Sequence, residues 1–215
     1  MIALLVGYTY SGTLPGIDED ISIITDWCKK RKLKVYTSSD SKAILNLQEN
    51  KFDFNTMFLD MKDIIYGKKV FFFFSGHGKG GRFKTPTSEI MMSSVIKGLS
   101  EIADEAVIML DCCEVSIDVL PSNTIIISAS NSDSKSNASI TGSLFVSDCL
   151  SLLRSRDCRD LEDLESKLRK KHNFSSIASI TKVMYGWVVP GTTIDYDPNT
   201  DRISYTKDGK VYLLQ

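Results

Sequence analysis

The sequence predicts an α/β protein with a mostly parallel central sheet, helices on both faces and a C-terminal β-meander. Short β-rich apolar runs alternate with stretches of helical periodicity, the pattern of a parallel sheet covered on both sides. The run "VFFFFSGHGKGG", residues 70 to 81, is wholly apolar up to Phe74 and then breaks at Ser75, Gly76, His77 and Gly78. The tail "TIDYDPNTDRISYTKDGKVYLLQ" alternates in steps of two, with NTD and DG as turn signals.

The elements follow in order. Strands are expected at Ile2 to Val6, Leu33 to Tyr36, Val70 to Phe74, Val107 to Leu110 and Thr124 to Ile127. Ile17, Ile21, Ile24 and Cys28 recur at helical spacing between the first two, which makes Cys28 a core residue. Residues 41 to 66 read as one or two helices with Phe54, Met57, Phe58, Met61 and Ile65 on the apolar face. A further helix is expected over 88 to 103, bearing Ile90, Ile96 and Leu99, and two more near 142 to 155 and 160 to 172. Residues 128 to 143 hold seven serines and few apolar side chains, so they read as a surface loop. From Val183 a strand and then the meander are expected. With 215 residues the chain suits one large domain, comprising residues 1 to 182 with 183 to 215 as an extension of it.

Composition removes several classes of function. A net charge of -1, with KKRK at 29 to 32 as its longest basic run, carries no footprint for nucleic acid. No apolar run reaches membrane-spanning length, and the opening residues lack a basic region followed by a cleavage pattern, so the expectation is a cytoplasmic protein. Five cysteines without metal-ligand spacing are expected to be thiols.

Chemistry concentrates at two strand ends. Gly76, His77 and Gly78 follow the third strand, and Asp111, Cys112 and Cys113 follow the fourth. Ligands of an open parallel sheet bind outside the carboxyl ends of its strands. If these strands are neighbours, an imidazole and a thiol come within reach: the imidazole takes the thiol's proton and later returns it to a leaving amine. The glycines on either side of His77 permit a sharp turn and a close substrate. The amides of Gly78 and Cys113, freed from strand pairing, are candidate oxyanion donors. Successive residues at a strand end point to opposite sides, so Cys112 and Cys113 cannot both face His77.

At these residues the chain resembles the caspase-like cysteine peptidases, and more closely the metacaspases. "FFFFSGHGKGG" and "VIMLDCCEVS" are similar to that family's motifs Y-S-G-H-G-G and D-x-C-H-S-G. "LLVGYTYSGTLPGIDEDI" resembles its first strand followed by N-Y-x-G-T and L-x-G-C-x-N-D, and "TIIISAS" with "TGSLF" resembles its fifth strand and next helix. The resemblance covers residues 2 to about 153 and implies a caspase-like three-layer sandwich. It also implies that His77 is the general base, that Cys113 is the nucleophile, and that Asp20, Ser75 and Asp111 line the primary specificity pocket. Two carboxylates there suit a substrate Lys or Arg. The expected partners are protein or peptide substrates with exposed Lys or Arg.

Departures from the motifs bear on the expectation. Glu114 replaces the histidine after the thiol, Val115 interrupts the next Ser-Gly, and Ile17 and Glu19 replace the family's Cys and Asn. "SEIMMSSVIKG" stands where metacaspases often carry paired aspartates of a calcium site, so no metal or other cofactor is expected. The stretch from Cys113 to Thr124 has no Lys or Arg and no processing linker, which points to an enzyme that works as a single chain, and a monomer is expected. The alternative is an inactive caspase-like interaction or regulatory module, in which Glu114 and short loops spoil the pocket. A metal site built on His77, Cys112 and Cys113 is a third reading, and it lacks a fourth ligand.

Overall fold

The computed structural model describes residues 1–40, 50–117, 121–130, 138–139, 142–155, 166–168, 193–197, 202–207 and 210–214. Its centre is a five-stranded sheet of β1 (Ile2–Gly7), β2 (Lys34–Ser39), β3 (Lys69–Ser75), β7 (Glu105–Asp111) and β8 (Thr124–Ser128), in the order β2-β1-β3-β7-β8. Every pair in it is parallel. The phenylalanine run is the middle strand. Phe72 and Phe74 enter the core on one face, Phe71 and Phe73 the core on the other, and all four are buried. A strand buried on both sides has no polar face, which is why its sequence shows no alternation.

Helices α2 (Met57–Ile65) and α3 (Met92–Ile102) cover the Phe72/Phe74 face, burying Met57, Met61, Ile65, Val95, Ile96 and Leu99. Helices α1 (Gly16–Lys30) and α4 (Leu144–Ser155) cover the other, with Ile17, Ile21, Ile24 and Cys28 of α1 meeting Val146 and Cys149 of α4 in one cluster. Three layers result, with α1 entering the structure directly after β1 so that its first turns lie at the carboxyl edge of the sheet. None of the described helices is long and apolar enough to cross a membrane.

All five expected central strands are present, each one to three residues longer than its apolar run. Other boundaries differ. The helix expected from 88 begins at Met92, because residues 89 to 91 form β6 (Glu89–Met91) of a small antiparallel sheet with β4 (Gly78–Lys79) and β5 (Arg82–Lys84). Ile90 fits helical spacing, but its backbone pairs with Phe83. The serine-rich stretch is not a surface loop at its ends: Ser128, Ser130 and Ser143 are all buried. Between them, β9 (Ala138–Ser139) pairs antiparallel with β10 (Gly142–Ser143). The meander is present as β11 (Thr193–Asp197), β12 (Arg202–Lys207) and β13 (Lys210–Leu214) in one antiparallel sheet. Residues 41–49 of the helical stretch expected over 41 to 66, the strand expected from Val183 and most of the helix at 160 to 172 lie outside the described residues. Of that last helix 166–168 is helical, with Leu168 buried.

Candidate active site

The last registered pair of β3 and β7 is Ser75 with Asp111. His77 and Cys113 each lie two residues beyond that pair, so parallel pairing carries both motifs to the same edge of the sheet. Their loops touch. The Gly76 amide donates to the Asp111 carbonyl at 3.2 Å. At Gly78 any side chain would collide with the Cys113 carbonyl oxygen and stand 3.1 Å from Cys112 Sγ and from Met92. Close approach of two backbones is therefore what position 78 requires of its glycine.

His77 is exposed and opens a hairpin whose strands are β4 and β5. The Lys84 amide donates to the His77 carbonyl at 2.9 Å. In an antiparallel ladder the next pair, Gly78 with Phe83, is then the one without mutual hydrogen bonds, which leaves the Gly78 amide on the side away from β5. Tyr10 fixes the same end: its hydroxyl accepts from the His77 amide at 2.9 Å and donates to the Lys84 carbonyl at 2.8 Å. Its ring lies against the imidazole with centroids 4.5 Å apart. Burial pushes the Tyr10 phenol upward, so it stays a hydroxyl and keeps both bonds. Sequence reasoning quoted Tyr10 only within a longer motif.

The two adjacent thiols are in different surroundings. Cys112 is 1% exposed and belongs to the core under α2 and α3, whereas Cys113 is half-buried. Burial, with Asp111 and Cys113 nearby, holds the Cys112 thiol well above its ordinary value. The loop between them and the next strand is anchored on the β8 side, where Ser130 Oγ donates to the Cys112 carbonyl at 2.6 Å.

Asp20, Ser75 and Asp111 converge below this edge, at 2%, 1% and 5% exposure. Ser75 Oγ stands 3.3 Å from Asp20 Oδ2 and 3.4 Å from Asp111 Oδ2. A hydroxyl has a single proton, so it serves one of these carboxylates at a time. The other oxygen of Asp20 accepts from the Ser143 amide at 2.8 Å. Burial first, and the charge of Asp111 second, raise the Asp20 carboxyl to about 7. Gly142 adopts φ +97, and a side chain there would sit 2.7 Å from Asp20 Oδ1, so only glycine serves at this turn. Ser143 itself was missed as a site residue. Its Oγ is buried without a hydrogen-bond partner among the described residues, and the signal available was the glycine-serine pair of "TGSLF" ahead of an apolar helix.

A separate cleft of about 340 Å³ lies toward β2, walled by Tyr8, Ser38, Asp53 and Thr85 among others. None of His77, Cys113, Asp20 or Asp111 lines it. Among the described residues no group of three or more His, Cys, Asp or Glu is placed to hold a metal ion.

This architecture is found in solved proteins of very different sequence. Caspase-1 from Spodoptera frugiperda superposes with a TM-score of 0.61 at 14% identity, covering 86% of this chain and 82% of its own. A protein from Geobacter sulfurreducens superposes with a TM-score of 0.51 at 14% identity, over 72% of this chain and 81% of its own. No family model and no curated protein matches the chain by sequence. The fold is caspase-like.

Proposed function

We propose that this chain is a cysteine endopeptidase that cleaves after Lys or Arg, with metacaspase-like specificity and a His77–Cys113 dyad. The observation that carries the reading is the joint placement of the two motifs: an imidazole and a half-buried thiol two residues past the same strand pair, beside a buried pair of carboxylates. In the reaction His77 takes the Cys113 proton and the thiolate attacks the scissile carbonyl. The C–N bond then breaks as His77 protonates the leaving amine. Water, deprotonated by His77, hydrolyses the resulting thioester and restores the thiol. The Gly78 and Cys113 amides are the donors for the oxyanion.

Specificity rests on Asp20 and Asp111, whose carboxylates pair with the substrate cation, and on Ser75, which orients them. The Ser143 Oγ offers a further oxygen to the same head group, so burying a guanidinium or ammonium there satisfies a hydroxyl that has no partner among the described residues. Acidic substrates place like charge against this pair. Calcium is not required in this reading: "SEIMM" supplies few oxygen donors, and its Glu89 is already paired with Lys84.

A positional peptide library tests the reading. Arg and Lys at the cleaved position are expected to exceed Asp by at least about a hundredfold in kcat/KM, as a like-charge mismatch in a buried site implies. Chelator and millimolar calcium are expected to leave the rate unchanged. Turnover of Asp and not Arg would reverse the pocket assignment, and no hydrolysis of any peptide would return the inactive interaction module as the better reading.

A further inference from the structure

Glu114, the residue that departs from the family motif directly after the thiol, makes contacts that give it a role. Its backbone is left-handed, with φ 50. Its carboxylate accepts from the Gly80 amide at 2.8 Å, and its carbonyl accepts from the Gly81 amide at 3.2 Å. Gly80 and Gly81 are the two residues between the paired Lys79 and Arg82, and both have positive φ, 54 and 69. They form the tight turn of the hairpin that begins at His77, and such a turn leaves its own amides free to donate outward. Glu114 therefore grips the tip of the imidazole-bearing hairpin with two acceptors while being covalently joined to Cys113. On the other side of the thiol, Ser130 holds the Cys112 carbonyl. Cys113 is thus suspended between two anchors, one of which is the hairpin that carries its partner.

We propose that Glu114 is a positioning residue that latches the thiol loop to the β4–β5 turn and so holds Cys113 in register with His77. The inference rests on the dyad reading above. The bond from the Gly80 amide links the two loops on this side, and it requires an oxygen acceptor at the end of a side chain of this length. Small displacements of a nucleophile from its base cost rate without loss of substrate affinity, because only the reacting geometry changes. Glu114 acts through Cys113 and touches no reacting atom.

Two substitutions separate the side chain from the backbone. Glu114→Gln keeps the oxygen acceptor, whereas Glu114→Gly suits the left-handed conformation better than glutamate does and keeps the carbonyl bond but removes the grip on Gly80. The rate of Cys113 alkylation by iodoacetamide, measured against pH and localised by mass spectrometry, reports how well the imidazole supports the thiolate. Glu114→Gln is expected to match the wild type. Glu114→Gly is expected to label Cys113 about tenfold more slowly at neutral pH and to lose kcat with KM unchanged. The Gly80 amide proton, followed by NMR, reads the bond itself: it is expected to be protected from exchange in the wild type and Glu114→Gln and exposed in Glu114→Gly. Wild-type labelling in Glu114→Gly, or equal loss in Glu114→Gln, overturns the latch. A wild type whose Gly80 amide is protected but whose Cys113 labels as slowly as a free thiol would instead sink the dyad, and with it the positioning role.

Discussion

Cys113→Ala is expected to abolish peptide hydrolysis, lowering kcat by at least about 10⁴-fold, the scale of removing a nucleophile from a working catalytic group. Cys112→Ala is expected to leave turnover within a few-fold and to cost about 1–2 kcal/mol of stability through the lost buried sulfur. The difference comes from surroundings, since the two thiols are neighbours in the chain. Cys112 lies in the core, where burial disfavours its thiolate. Cys113 is only half-buried. A short iodoacetamide pulse at neutral pH should therefore modify Cys113 ahead of Cys112 and extinguish activity in step with the modification. Activity retained in Cys113→Ala and lost in Cys112→Ala would exchange their roles. Slow, equal labelling of both would favour an inactive module.

Asp20→Asn separates the pocket's charge from its shape. The amide oxygen can still accept from the Ser143 amide, and the amide nitrogen can donate to Ser75 Oγ, so packing is preserved. Cleavage after Arg is expected to fall by a hundredfold or so, the usual cost of removing one partner from a buried charge pair. Stability should move in the opposite direction. The Asp20 carboxyl titrates at about 7 in the folded chain against 3.8 for an unperturbed side chain. Between those values the folded state keeps a proton that the unfolded state has released, so wild-type stability falls as pH rises through that window and stays low above it. Asn does not titrate, so the variant should gain on the wild type from pH 4 to pH 8, by on the order of 4 kcal/mol at the upper end. The same ionisation predicts that agmatine, a small guanidinium ligand, inhibits the wild type about tenfold more tightly at pH 8 than at pH 6. A difference in Tm between variant and wild type that does not change with pH would contradict a raised Asp20, and an unaltered preference for Arg would remove Asp20 from the pocket.

The central sheet was legible because its strands are buried on both faces and announce themselves as unbroken apolar runs; β3 is the extreme case. His77 and Cys113 were legible for a related reason, since polar chemistry at the end of such a run has only the sheet edge to occupy. What stayed hidden was set by pairing between segments distant in sequence. Residues 89 to 91 form a strand only because β5 lies alongside, and nothing in "SEIMM" prefers that to a helical turn. Ser143 looked like one more solvated serine, yet it is buried because its amide serves Asp20, 123 residues earlier. Glu114 read as a defect in a motif, because its partners, Gly80 and Gly81, are brought to it by the fold.

The hairpin that begins at His77 has one further property, which follows from Phe83. Its ring is fully buried, 4.3 Å from that of Phe74, 5.7 Å from that of Phe54 and 6.3 Å from that of Phe72. The segment carrying the imidazole is therefore pinned into the main core and opens only when the core does. Many enzymes place their chemistry on the least stable, earliest-opening part of the fold, whereas the hairpin that carries His77 is expected to belong to a late-opening unit. The Lys84 amide, bonded to the His77 carbonyl, is expected to exchange with deuterium at the rate of global unfolding, and a Phe83→Leu substitution, far from any reacting atom, to speed that exchange and loosen the histidine together.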